Sequence, residues 1–271
     1  MITPGRADPP MSPQGEEAQA PTRRDSRSSE LNPRPQGEEA QAPTRRDSRS
    51  SELALLAAVP VKDLANAKQR LMGVLTGAER RGLARAMLED VLQVLGAALP
   101  GSVFVVTTDA DVMSLARQHG ARCLVESANR GHTEAVALAQ RAASAMGARR
   151  FLTIPGDVPC VTADEVKTVL GALGDEGGMA FVPSVSGFGT NAALLAPPDV
   201  MPLKFGEPSF ANHVEAARQR GASPVILGLP GLGLDIDAPE DLALLLARGA
   251  TTRSATLLRE WGIPARLTNH A

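Results

Sequence analysis

From residue 55 onward, short unbroken apolar runs alternate with longer amphipathic stretches. The run LLAAVPV at 55–61 and the core of RRFLTIP at 149–155 place apolar residues on both faces of an extended chain. A strand written this way must be covered on both sides, whereas a solvated strand alternates polar with apolar. Between the runs, Leu83, Met87, Val91 and Leu95 recur at helical spacing. Thr76 and Glu79, three residues apart, form a capping-box pattern at the start of that helix, and Pro100 with Gly101 stops it near Leu99.

The alternation continues along the chain. Strands are expected at 102–108, 121–126, 179–183 and 191–196, with shorter ones at 224–229 and 232–237. Helices are expected at 110–119, 133–146, from the Thr162 cap to about 173, at 209–220, and from Pro239 to about 247. Such an order predicts an α/β fold, a mostly parallel sheet with helices on both faces. Aromatic residues make up 3% of the chain, so the core must come from Leu, Val, Ala and Ile. Ligands of such sheets bind beyond the carboxyl ends of the strands, where the chemistry is to be sought.

Residues 1–53 have a different character. The sequence PQGEEAQAPTRRDSRSSEL occurs twice without change, at 13–31 and 35–53. Identity at polar positions that no fold constrains marks a recent duplication. With no aromatic and few large aliphatic residues, the segment is expected to be a disordered tail, either a spacer or a partner-binding arm. The expected division is this tail, a domain over 54–250 and a C-terminal extension over 251–271, which holds Trp261. The chain's 28 Lys+Arg against 30 Asp+Glu lack the basic excess of a nucleic-acid-binding protein. No apolar run is long enough for a bilayer, and the N-terminus is unlike a signal peptide, so no membrane partner is expected. Two cysteines, Cys123 and Cys160, without metal-type spacing fit a reducing compartment, hence the cytoplasm.

Several loops carry candidate chemistry. Lys62, Lys68 and Arg70 follow the first strand, three cations in nine residues. They would hold a polyphosphate, or else form a solvated basic loop. GxGxxG and Walker patterns are absent, which disfavours a P-loop or ordinary dinucleotide site. Asp157 follows the apolar run at 149–155 and suits a Mg²⁺ ligand, or a turn aspartate. Asp235 and Asp237 are two apart on an extended chain and so share a face, with Ile236 turned to the core. Paired acids suit a cation, although Asp237 also stands where a helix N-cap would. Thr190 and Asn191 follow a glycine-bracketed turn. Gly206 lies in a second turn, and Ser209 opens a helix whose N-terminus can hold an anion. His213, one turn further, is expected to be packed or solvent-facing. The other histidines form no metal pattern, and no GxSxG motif is present.

Taken together, VPVKDLANAKQRL, PGDVPCVT, GTNAALL, FGEPSFANHVEAAR and LDIDAPEDL resemble, in order, the family of 2-phospho-L-lactate guanylyltransferases. That family includes enzymes acting on phosphoenolpyruvate or 3-phosphoglycerate in coenzyme F420 biosynthesis. The resemblance implies a Rossmann-like, GT-A-like nucleotidyltransferase domain. Its partners would be GTP and a phosphorylated small acid, its cofactor Mg²⁺, and a homodimer is an open option. It further implies that Thr190, Gly206 and Ser209 bind the phospho-acid, Asp157 and Asp237 the metal, and Lys62, Lys68 and Arg70 the nucleotide phosphates. The chain departs from the family pattern at Ser184, Val185 and Ser186, where Asp-Arg-His is usual, and at His132 and Thr133, where Leu-Asn is usual. Two alternatives stay open: a paralogue with a molybdenum-cofactor or sugar acceptor, and an inactive binding module on the same scaffold. The glycine-rich first loop of the former is absent.

Overall fold

The computed structural model of the chain describes residues 54–64, 67–126 and 128–268. The expected tail at 1–53, with its duplicated stretch, and His270 lie outside the described residues. The apolar runs build the parallel half of a sheet. Strands β1 (Leu55–Pro60), β2 (Val103–Thr107), β3 (Arg122–Val125) and β4 (Arg150–Thr153) run in parallel, in the spatial order β3-β2-β1-β4. Beyond β4 the direction changes. Strand β6 (Thr190–Ala196) is antiparallel to β4 and to β5 (Gly178–Pro183), and the two-residue β7 (Val225–Ile226) lies parallel to β5 at the edge. The first residues of the reversed β6 therefore stand at the same rim of the sheet as the last residues of β1 and β4.

Both faces are covered, as the apolar runs require. In β1, Ala57 and Val59 face one core cluster, and Leu56 and Ala58 face another; each is at most 1% exposed. The first cluster draws on α1 (Gly77–Ala98), α2 (Ala110–Gln118) and α4 (Ala163–Gly171). The second draws on α3 (His132–Ala145) and α5 (Ser209–Arg218). The caps form as the sequence indicates: the Thr76 hydroxyl accepts the Glu79 amide at 3.2 Å, and Glu79 accepts the Thr76 amide at 2.8 Å. Thr162 and Glu165 repeat the arrangement on α4.

Helix α1 buries two sides. Leu88, Val91 and Leu95 face the sheet, while Leu83 and Met87 meet an outer cluster. That cluster is completed by α6 (Pro239–Ala247), α7 (Arg253–Glu260) and α8 (Ile263–Thr268), through Leu242, Leu258 and Ile263 among others. Asp90 of α1 accepts the amides of Arg253 and Ser254 at 2.8 and 3.0 Å and so caps α7 from a neighbouring helix. Trp261 lies against Gly82, where a Cβ would come within 3.1 Å of the indole.

Residues 232–237, expected as a strand, are turn and coil. Their backbone groups are taken by side chains, turns and loop backbone instead of a neighbouring strand. Asn191 donates to the carbonyls of Leu232 and Gly233, both at 3.0 Å, and Asp241 accepts the Asp237 amide at 2.9 Å. The expected strand at 224–229 shortens to β7. No helix of the described residues is long and apolar enough to cross a membrane.

Candidate active site

A cavity of about 450 Å³ opens at the carboxyl rim of β1 and β4. Lys62, Lys68, His132, Asp157 and Asp237 are among its lining residues. The chain reaches it from β1 through a loop in which Lys68 adopts a left-handed backbone, φ 56°. A side chain other than glycine is strained there, by of order 1 kcal/mol or more, and such strain concentrates at functional sites. This backbone aims Lys68 inward. Its Nζ donates to Asp157 Oδ2 at 2.6 Å and to Asp237 Oδ1 at 2.7 Å, and the side chain is 8% exposed.

Two distant stretches thus meet on one cation. Burial opposes the charge on Lys68, but Asp157 and Asp237 outweigh it and hold the ammonium above the ordinary lysine pKa. Burial also opposes ionisation of Asp237, yet Lys68 and, more weakly, Arg70 keep its carboxyl below the usual range. Asp235 goes the other way: burial raises its pKa against the Asn191 hydrogen bond, and the negative charges of Asp157 and Asp237 add to the rise.

Local hydrogen bonds fix this meeting. The Ile236 amide donates to the Asp157 carbonyl at 3.1 Å, tying the two loops backbone to backbone. Ile236 is fully buried in the outer cluster, so the aspartates flanking it turn away. The N-cap position of α6 falls on Ala238, and Asp241 accepts the amides at Asp237 and Ala238. The carboxylate of Asp237 is thereby left to Lys68. Asp235 Oδ1 accepts from Asn191 at 3.0 Å.

This donor set fits a divalent ion. The Lys68 ammonium stands in for a small cation between Asp157 and Asp237. Mg²⁺ takes one or two carboxylates and completes its shell with phosphate oxygens and water. Among the described residues no group of three or more His, Cys, Asp or Glu could hold a metal, so two carboxylates plus ligand oxygens is the arrangement these side chains can offer.

A bulge separates this side of the rim from the next. Val182 pairs with Ala192 and Pro183 with Thr190, so Asn191 is passed over in the register. Adjacent residues then address different partners. Asn191 serves the 232–235 segment. Thr190 Oγ1 lies 3.0 Å from His213 Nδ1 and accepts from Ser209 Oγ at 3.3 Å. Thr190, Ser209 and His213 are all buried. Gly206, in the loop before α5, has φ 111° with open space where a Cβ would project, so the loop uses a backbone that glycine permits. Of the expected site residues, Lys68, Asp157 and Asp237 form one hydrogen-bonded set with the Asp235–Asn191 pair beside it, and Thr190 and Ser209 form a second. Lys62 lines the cavity, and Arg70 acts on Asp237 through its charge.

The two family departures have structural partners. Ser184 Oγ accepts the Gly189 amide at 2.9 Å and contacts Ser186 Oγ at 2.8 Å, closing the turn before β6. Thr133 Oγ1 accepts the Phe205 amide at 2.9 Å, anchoring the Gly206 loop to α3. His132 meets the Phe205 ring edge-on, with centroids 4.4 Å apart. Burial holds both His132 and His213 down to a pKa of about 4. Sequence reading gave neither histidine a role at the rim. For His213 the available signal was its place four residues after Ser209; for His132 it was the departure from the family's usual Leu at that position.

The family profile described as "Guanylyl transferase CofC like" matches residues 55–270. The phosphoenolpyruvate guanylyltransferase of Sphaerobacter thermophilus is 39% identical over 191 residues, covering 70% of this chain and 91% of that protein. The 2-phospho-L-lactate guanylyltransferase of Methanothermobacter thermautotrophicus is 32% identical, covering 75% of this chain and 89% of its own length. Among solved structures, a Desulfovibrio desulfuricans protein provisionally described as a nucleotide-diphospho-sugar transferase superposes with a TM-score of 0.66 at 20% identity, over 80% of this chain and 98% of that one. At that identity the likeness concerns the fold alone.

Proposed function

The chain belongs to the CofC-like guanylyl transferase family and is a nucleotidyltransferase, and from that premise we propose that it transfers GMP from GTP to the phosphate of a small phosphorylated acid, releasing pyrophosphate. Phosphoenolpyruvate and 2-phospho-L-lactate are the acceptors named in the relatives, and 3-phosphoglycerate is a third of the same chemistry. The product would serve coenzyme F420 biosynthesis. The convergence of Asp157 and Asp237 on a single cation beside a cavity lined by Lys62 supports this reading most directly.

In the proposed reaction an acceptor phosphate oxygen forms a bond to the α-phosphorus of GTP, and the bond from that phosphorus to the β-bridging oxygen breaks. The electron pair leaves with pyrophosphate. No general base is needed, because the acceptor phosphate is already ionised near neutral pH. Asp157 and Asp237 would hold Mg²⁺, which when bound supplies charge neutralisation at the phosphates. Lys62 and Arg70 add positive charge on the nucleotide side, and Thr190, Gly206 and Ser209 hold the acceptor. Catalysis is then positioning and electrostatics. Crossing a set of nucleotides with a set of phosphorylated acids, with pyrophosphate release and product mass as readouts, tests the proposal. GTP with one of the three acids is expected to give the highest turnover; silence across every pair rules the reaction out.

A further inference from the structure

We propose that His213 is a positioning residue: it holds the Thr190 hydroxyl so that its hydrogen is offered to an anionic oxygen of the acceptor acid. The inference rests on the acceptor side of the reading above. The Lys204 amide donates to His213 Nε2 at 3.0 Å, so that nitrogen carries a lone pair. In a neutral imidazole the hydrogen is then on Nδ1. Nδ1 is 3.0 Å from Thr190 Oγ1 and donates to it. Ser209 Oγ donates to the same oxygen at 3.3 Å. With both acceptor positions of Thr190 Oγ1 occupied, its own hydrogen is left to donate elsewhere. A hydroxyl fixed as a donor suits a carboxylate or phosphate oxygen, where the hydrogen bond is charge-assisted.

The ring is held in this orientation by its neighbours. Phe181 stacks on it with centroids 5.5 Å apart, and Phe205 meets it edge-on at 5.2 Å. Phe205 is in turn tethered through its amide to Thr133. His213 therefore acts through Thr190 rather than on the reacting atoms.

Two measurements on the full chain decide the matter. Nitrogen-15 shifts of the His213 ring in the ligand-free protein are expected to report the Nδ1–H tautomer; the Nε2–H tautomer overturns the inference. This needs no turnover, so it stands apart from the activity matrix, whose failure would remove the reaction but not the tautomer. The second measurement is kinetic. His213→Phe keeps a ring between Phe181 and Phe205 but loses both nitrogens. It is expected to raise KM for phosphoenolpyruvate roughly tenfold while KM for GTP stays within about twofold. His213→Asn, which restores a donor near Nδ1, should recover part of the loss. In a Thr190→Val background His213→Phe should add nothing. An equal rise in both KM values, or the same effect with and without Thr190, overturns the inference.

Discussion

Lys68 and Asp157, 89 residues apart in sequence, meet at 2.6 Å at the rim of the sheet. Asp237 reaches the same ammonium at 2.7 Å from the other side. The side chain expected to grip nucleotide phosphate thus rests between the acids expected to hold the metal. Lys68 keeps the Asp237 carboxyl below the usual carboxylate range, and in the proposed reaction a nucleotide-bound ion would have to replace that ammonium.

Removing one of these acids should stop the chemistry before it harms the fold. Asp157→Ala is expected to lower GTP-dependent pyrophosphate release by roughly a hundredfold or more, the scale of losing a well-aimed electrostatic group. Because Asp237 still pairs with Lys68, circular dichroism and the melting curve should remain those of a folded protein. Wild-type turnover in Mg²⁺ would remove Asp157 from the metal site.

Deleting the competing cation should have the opposite effect on metal affinity. In Lys68→Ala two carboxylates face one another without a counter-ion, which favours a divalent ion between them. Binding of Mn²⁺, read by electron paramagnetic resonance, should tighten by about tenfold, while turnover falls. Unchanged Mn²⁺ affinity would mean that Lys68 and the ion do not share a place.

Acid stability should carry the mark of His213. Its folded pKa, about 4, lies below the ordinary 6.5. Between those values the unfolded chain binds a proton that the folded one refuses, so stability rises with pH across that window and falls on acidification. The loss is at most about 1.4 kcal/mol per pH unit for one such histidine. His213→Phe should flatten the dependence of denaturation free energy on pH between 6.5 and 4, leaving a residual slope from His132, whose pKa is also about 4. An unaltered slope would show that His213 does not resist protonation.

Gly231 should tolerate no side chain. A Cβ there would collide with the Cys160 carbonyl and with Glu165, which accepts the Gly231 amide at 2.6 Å. Gly231→Ala is expected to cost about 1–3 kcal/mol in urea denaturation. Gly174→Ala, where nothing lies within 4 Å of the new Cβ, is the control and should be near neutral.

The duplicated stretch should be dispensable. The family match begins at residue 55, and the proposed site residues span 62–237. Removing residues 1–53 should leave kcat and both KM values within about twofold. A large loss would assign the stretch a role in the reaction.

Much of the scaffold was legible because its signals are local. The run at 55–61 could only be a strand covered on both faces, and Thr76 with Glu79 announced the start of α1. The double-sided burial of α1 was not legible, since Leu242, Leu258 and Ile263, which cover its outer side, arrive more than 150 residues later in the chain. Residues 232–237 misled for a different reason. Leu and Ile alternating with Asp imitate a half-buried strand, but Gly231 and Gly233 turn the chain, and the side chains of Asn191 and Asp241 and the backbone of Asp157 and Val185 take its backbone groups. At the site, residue chemistry suggested that Asp157 and Asp237 share a cation. That the cation would be Lys68 depends on its left-handed backbone, which nothing around it in the sequence announces. His213 was expected to be packed or solvent-facing and is packed; its bond from the Lys204 amide was not legible, because that partner is a backbone group invisible to motif reading.

In the proposed reaction the reversal of β6 separates two tasks. Lys62, Lys68 and Asp157 follow forward strands, whereas Thr190 sits where a backward strand begins, directly after the serine-closed turn. In that reaction, Ser184 and Ser186 can change without moving the loops after β1 and β4, provided that the Val185 amide keeps its 2.7 Å bond to the Gly233 carbonyl. A lineage could thus exchange one phosphorylated acid for another by rewriting a few residues around Ser184 and Ser186, with the nucleotide half of the machinery inherited intact.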